Sequence, residues 1–255
     1  MKVLVIGGSG LIGSQVVANL TELGHEAIPA SPRSGVNSVT GEGLAEAVAG
    51  VHTVVDVSNS PSFDDEPVMQ FFTTSTRNLL AAERNAGVQH HVALSIVGAD
   101  RAPDSGYMRA KVAQEKLIEE SGSPYSIVRA TQFFEFVDAI ADSATDGNTV
   151  LLPDGAFQPI AAKDVATAVT GATISNPTNG FTNIAGPEKL GMDDFIRTAL
   201  AASGDPRQVV GDPTARYFGT RLDEHTIVPL DSENLTIYPT RYSDWKASRT
   251  LSGAQ

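Results

Sequence analysis

The sequence predicts an α/β fold, a doubly wound parallel sheet with a small C-terminal substrate lobe. Three observations carry this. Short apolar runs alternate with helical stretches through residue 130. A glycine-rich turn, Gly7-Gly8-Ser9-Gly10-Leu11-Ile12-Gly13, joins the first apolar run to the first amphipathic stretch. Many of the runs are too apolar to have a wet face, so the sheet they form must be covered on both sides. Right-handed crossovers then wind it doubly and place its ligand crevice beyond the carboxyl ends of the strands.

Each element follows from its local pattern. Lys2–Ile6 is an apolar run ending at glycine, a buried strand. In Leu11–Leu23, Leu11, Ile12, Val16, Val17 and Leu20 recur at helical spacing, and Gly24 stops the helix. Glu26–Ala30 reads as a strand, Leu44–Ala49 as a short helix and Thr53–Val57 as a strand. Glu66–Ala86 is a long helix ended by Gly87, followed by a strand over His91–Ile96. Tyr107–Glu120 is a helix and Tyr125–Arg129 a strand. From about residue 145 glycine and proline become frequent, with short helices over Asp164–Ile174 and Met192–Ala202. The expected organisation is a dinucleotide-binding core over 1–145. Residues 146–255 then complete the sheet and add the lobe, as one continuous unit.

Composition excludes several classes. A net charge of −12 is a poor fit to a phosphate backbone, so no nucleic-acid partner is expected. No cysteine is present, which removes disulfides, thiolate metal sites, iron–sulfur clusters and a cysteine nucleophile. His90 and His91 are adjacent in an extended stretch and should face opposite ways, while His25, His52 and His225 stand alone; no metal is expected. The opening apolar run is too short for a signal peptide, and no 18-residue apolar stretch exists. The expectation is a cytoplasmic protein without a membrane partner, a monomer or homodimer acting on a small molecule.

The glycine turn carries the first functional signal. It follows a strand and opens a helix, the context in which such a motif holds a dinucleotide. Gly7 permits the tight turn, Gly10 lets backbone approach a pyrophosphate, and Gly13 lets the helix pack close. Helix N–H groups and the helix dipole would hold the phosphates. After the second strand comes Ala30-Ser31-Pro32-Arg33-Ser34, with no carboxylate to take a ribose 2′-hydroxyl. Arg33 between Ser31 and Ser34 suits a 2′-phosphate, so NADP(H) is expected in preference to NAD(H).

The second signal is Tyr107 and Lys111, four apart and therefore on one helix face. A neighbouring ammonium is expected to lower the phenol's pKa. Tyr107 could then give a proton to a carbonyl oxygen as hydride reaches its carbon, with Ser95 bonding the same oxygen.

The turn Gly7-x-x-Gly10-x-x-Gly13, the strand ending at Ser95 and Tyr107-Met-Arg-Ala-Lys111 together resemble the short-chain dehydrogenase/reductase superfamily, of Rossmann-like fold. The run Gly106–Glu115 and the run Tyr125–Phe134 are similar to its atypical, NmrA-like branch. The resemblance is specific through residue 166 and looser beyond. It implies cofactor contacts from Gly7, Ser9, Gly10, Leu11, Ile12 and Gly13, with Arg33 on the 2′-phosphate. It places Val57, Ser58 and Asn59 along the ribose and pyrophosphate, Lys111 on the nicotinamide ribose, and Ala130, Thr131 and Phe133 beside the nicotinamide. Several NmrA-like members lack the catalytic Tyr and act as sensors or unusual reductases; this chain keeps Ser95, Tyr107 and Lys111. No residue matches the Asn that supports catalysis in many short-chain dehydrogenases, and Asn78 is the candidate that the long helix offers.

Phe133, Phe134 and Phe136 read equally as core or as substrate lining, and Phe133 and Phe134 are the candidate substrate contacts. Asp64, Asp65 and Glu66 suit a helix start, Asp164 reads as a helix cap and Trp245 as a packing anchor. The expected function is an NADPH-dependent reductase of a small apolar carbonyl or quinone-like compound. The alternative is a regulatory protein that binds NADP(H) without turnover and acts through a protein partner.

Overall fold

The structure, a computed structural model, describes residues 1–231 and 234–252. Its elements in chain order begin with β1 (Lys2–Ile6), α1 (Leu11–Glu22), β2 (Glu26–Ala30), α2 (Leu44–Ala47), β3 (Thr53–Asp56) and α3 (Asp65–Ala86). Then come β4 (His90–Ile96), α4 (Gly106–Glu120), β5 (Tyr125–Ala130), α5 (Val137–Ser143), β6 (Thr145–Asp146), β7 (Thr149–Leu152) and β8 (Ala156–Phe157). The chain continues through α6 (Ala162–Ile174), β9 (Phe181–Ala185), β10 (Leu190–Gly191), α7 (Met192–Ala202), β11 (Gln208–Gly211), β12 (Leu235–Ile237) and α8 (Tyr242–Ser252).

The central sheet is parallel and seven-stranded, in the order β12-β9-β5-β4-β3-β1-β2. This is the Rossmann-like architecture that the alternation predicts. From β1 the chain first moves outward to β2 and then crosses back to β3 on the other side. The topological switch therefore lies between β1 and β3, and the crevice opens at their carboxyl ends. Ile6 pairs with Asp56 at that end of the two strands. β2 is the edge, and its Pro29 is tolerated there because an edge strand can spare an amide donor.

The chain forms two compact units whose segments interleave. The first comprises residues 1–95, 106–129 and 165–182; the second comprises 96–105, 130–164 and the described residues from 183 on. A division at residue 145, where the sequence changes character, is not where these units part.

In the first unit Val3, Leu4 and Val5 are fully buried, as are Val54 and Val55 of the neighbouring strand. Helix α3 buries Val68, Phe72, Ser75, Thr76, Leu79, Leu80 and Glu83, a stripe at three- and four-residue spacing. Arg129 forks onto Glu115, its Nε 2.9 Å from Oε1, with both side chains buried. His90 and His91 do face opposite ways: His90 Nε2 lies 2.9 Å from Ser126 Oγ, and His91 Nδ1 lies 2.8 Å from Glu83 Oε1.

In the second unit β6, β7 and β11 form one small sheet, and β8 pairs with β10. Phe134, Phe195, Tyr242 and Trp245 pack as one aromatic cluster. Trp245 anchors α8 as expected, its indole N–H donating to Glu135 at 2.9 Å. Asp164 departs from its expected role as a cap: it sits inside the first turn of α6, and its carboxylate accepts the Thr240 N–H at 3.3 Å.

Candidate active site

The glycine turn lies at the switch point, where β1 ends. Gly7 has φ +79°, and a Cβ there would sit 2.9 Å from the backbone of Val57 and Ser58. The turn therefore rests directly on the segment leaving β3. A Cβ on Gly13 would lie 2.1 Å from the Gly7 carbonyl oxygen, so α1 approaches the turn as closely as backbone allows. The first turn of α1 carries no acidic side chain. Its N–H groups, which have no partner within a helix, and its positive dipole end are thus left to an anion. These features fit a dinucleotide diphosphate.

Arg33 is exposed in a short helical turn, Pro32–Ser34, that follows β2. The two serines beside it are committed to that turn. The Ser34 hydroxyl accepts from the Ser31 N–H and donates to the Ser31 carbonyl, both at 2.9 Å. Of the expected fork of one arginine and two serines, the serines shape the turn and the Arg33 side chain stands exposed on it.

Ser95, Tyr107 and Lys111 belong to the first unit together with the glycine turn. The Tyr107 hydroxyl donates to Asn59 Oδ1 at 2.9 Å, and its ring lies between Phe63 and Phe72, with centroids 5.3 and 5.9 Å away. Lys111 is buried. Its Nζ donates to the Leu94 carbonyl at 2.8 Å and to Gln114 Oε1, and it stands 4.3 Å from the Phe72 ring centroid. Ser95, the residue after Leu94, has a buried hydroxyl with no hydrogen-bond partner among the described residues.

The electrostatics differ from the expectation in one respect. Burial pushes the Tyr107 phenol up to about 12, with the Asn59 hydrogen bond pulling the other way, so the lysine does not lower it. The ammonium faces Leu94 and Gln114 instead. Burial also lowers Lys111 to about 8, against the pull of Asp56 and Glu115.

Two site residues escape the sequence reading. Gln114 donates from Nε2 to Asp56 Oδ2 at 3.0 Å, while Asp56 Oδ1 accepts the Ser58 N–H and hydroxyl at 3.0 and 2.6 Å. The available signals are a glutamine three residues after Lys111 and a carboxylate ending the otherwise uncharged strand Thr53-Val54-Val55-Asp56. Asn78 is no catalytic partner: its amide donates to the Ser38 and Val39 carbonyls, both at 2.9 Å.

Ala130, Thr131, Phe133 and Phe134 fall in the second unit. Thr131 has a buried hydroxyl without a partner among the described residues. Phe133 is half-buried and stacks on Phe136 at 5.5 Å. Phe134 is only 1% exposed within the aromatic cluster, so it is a core residue rather than a substrate contact.

Residues 7–175 match the model of a family described as NAD(P)H-binding. The photosystem II assembly factor Ycf39 of Synechocystis sp. is 26% identical over 234 residues, 84% of this chain and 72% of that protein. An NAD(P)H azoreductase of Xenophilus azovorans is 29% identical over 227 residues, 82% of this chain and 76% of that protein. The NADPH complex of a quinone oxidoreductase from Escherichia coli superposes with a TM-score of 0.65 at 19% identity, covering 82% of this chain and 77% of that one. The chain spans from about half to three quarters of the length of such curated relatives. Among the described residues no helix is long and apolar enough to cross a membrane.

Proposed function

The chain belongs to the NAD(P)H-binding family, and on that premise we propose that it is an NADPH-dependent reductase of a small apolar carbonyl or quinone-like compound. The observation that carries this reading is Tyr107. Its protonated phenol and the lysine one helical turn on sit in the same compact unit as a glycine turn built for a diphosphate.

The α1 N-terminus and the turn Gly7–Gly13 would hold the diphosphate of the cofactor, and Arg33 the 2′-phosphate. Val57 and Ser58, on which the turn rests, and the adjoining Asn59 would line the ribose. A reduced nicotinamide bound there supplies a hydride. Tyr107, held neutral by burial, would exchange its Asn59 acceptor for the substrate oxygen and give that oxygen its proton. Ser95 would spend its unpartnered hydroxyl on the same oxygen. Lys111, held by the Leu94 carbonyl and Gln114, would take the nicotinamide ribose of the bound cofactor. The relatives named as reductases support the reaction class, and the exposed ring of Phe63 beside Tyr107 supports a substrate with an apolar body.

The test is Tyr107→Phe, followed as NADPH oxidation across quinones, ketones and aldehydes, with NADPH affinity measured in parallel. Retained affinity with turnover largely lost supports the reading; unchanged turnover removes Tyr107 from the mechanism.

One observation favours a second reading, a nicotinamide-binding regulator acting through a protein partner: the match to a protein named as an assembly factor. That reading requires NADP(H) binding with no turnover on any member of the panel.

A further inference from the structure

We propose that Asp56 and Gln114 are positioning residues for Lys111, acting as a two-piece polar strut that holds its ammonium at the carboxyl end of β4. The inference rests on the reading above that Lys111 serves the reaction.

The three side chains are all at least 97% buried. Nζ meets the Leu94 carbonyl, the Gln114 carbonyl oxygen and the face of Phe72. An amide can present either end, and only its oxygen can accept from an ammonium. What decides the orientation is Asp56. A carboxylate accepts only, so it takes the amide NH2 at 3.0 Å and turns Oε1 to the lysine. Asp56 is itself fixed, because its other oxygen accepts twice from Ser58. The strut thus ties Lys111 to the segment on which the glycine turn rests.

The groups facing the ammonium support this division of labour. On its own helix is Glu115, which is committed to Arg129 of β5. Helix α3 presents the Phe72 ring, β4 a neutral carbonyl and β3 the Asp56 carboxylate. Burial lowers the lysine to about 8, and Asp56 is first among the groups that pull it back up. Because Asp56 reaches Lys111 through a neutral amide, it steadies the cation without capturing its protons.

A charge-swap cycle tests this. Asp56→Asn creates a conflict: the new amide must turn an oxygen to Ser58 and so offers its NH2 to Gln114. That flips the Gln114 amide and sets its NH2 against the ammonium. Gln114→Glu alone places two acceptors face to face. In Asp56→Asn/Gln114→Glu together every donor again meets an acceptor, with the charge moved one residue along the strut. The readout is the 15Nζ NMR titration of Lys111 in the cofactor-free protein, assigned with Lys111→Arg. The alkaline limb of kcat/KM with NADPH and a quinone is read alongside.

The expected result is a Lys111 midpoint lowered by about one pH unit in Asp56→Asn, a tenfold loss of proton affinity. In the double variant it returns to the parent value or above. An unmoved midpoint in Asp56→Asn, or a double variant no better than that single one, overturns the proposal. If Asp56→Asn does not fold, recovery of folding and of the Lys111 titration in the double variant supports the strut, and failure of either overturns it. The titration needs no turnover, so a strut confirmed by NMR in a protein that reduces nothing would refute the reductase reading alone.

Discussion

The Tyr107 hydroxyl donates to Oδ1 of Asn59 across 2.9 Å, and the same oxygen accepts the Ser60 N–H at 2.9 Å. The phenol is therefore a donor whose proton has a defined address, on a loop pinned to the glycine turn. Burial, which pushes it up to about 12, keeps it protonated throughout the neutral range. Such a group suits the reductive direction, in which a proton must be given.

A spectrophotometric titration checks this. An ordinary tyrosine is half-ionised near pH ~10. Parent protein and Tyr107→Phe are expected to show superimposable phenolate absorbance through that region, diverging only above it. A step near pH ~10 missing from the variant would mean that the phenol is not shielded.

On the proposed reading Arg33 selects NADPH over NADH. With the Ser34 hydroxyl spent inside its own turn, the guanidinium is the charged donor left to a 2′-phosphate. Hydrogen bonds to charged groups contribute roughly 1.5–3 kcal/mol, so Arg33→Ala should weaken NADPH binding by about 10- to 100-fold and leave NADH binding nearly unchanged. Ser34→Ala should act less, through a loosened turn. Fluorescence titrations with both cofactors read the difference; equal losses for NADPH and NADH would take Arg33 off the phosphate.

Much of this was legible in the chain because the deciding signals are local. Apolar runs mark β1, which ends at Gly7, and β3 to within a residue, and Gly87, at φ +73°, ends α3 where the pattern stops. The glycine turn and the Tyr107–Lys111 pair are spacings within one turn or one helix. The strut is different in kind. Gln114 and Asp56 stand 58 residues apart and meet only once β3 and α4 are in place, so no local spacing announces them. Phe134 fails for another reason: an aromatic residue after a strand reads the same whether it turns inward or toward a ligand, and packing decides. β12 escapes because its three residues are exposed and carry no buried alternation.

The Glu115–Arg129 pair predicts an asymmetry in stability. Both side chains are buried, and Arg129 also lies over the Phe181 ring at 3.9 Å. Removing one partner strands a charge away from water, so Glu115→Ala and Arg129→Ala should each cost about 3–5 kcal/mol. Replacing both together, as Glu115→Leu/Arg129→Met, should cost less than either single change, because no unpaired charge remains. Denaturant unfolding with unchanged slope measures all three. A double variant as unstable as the sum of the singles would show no coupling between the two side chains and would overturn the stranded-charge account.

Two histidines, His90 and His91, open β4. Burial lowers His90 to about 4, helped by the nearby His91 and His52, and its contact with Ser126 suits a neutral ring. Burial also acts against His91, but the Glu83 carboxylate and then Asp56 more than offset it and raise its pKa. The two therefore pull stability in opposite directions. Between pH ~6.5 and about 4 the unfolded chain binds a proton at His90 that the folded chain refuses. Stability is full above that window and falls through it, by on the order of 3 kcal/mol. His91 does the reverse: its pair with Glu83 stabilises the fold below its unfolded pKa, and that contribution is lost as pH rises through the folded one. His90→Gln keeps a polar atom within reach of Ser126 and has nothing to titrate, so it should flatten the acid side of the stability curve. His91→Gln should leave the His90 slope and remove the stabilisation that fades with rising pH. Thermal unfolding from pH ~4 to ~8 separates them, and an acid limb in His90→Gln as steep as in the parent would place the loss on the carboxylates instead.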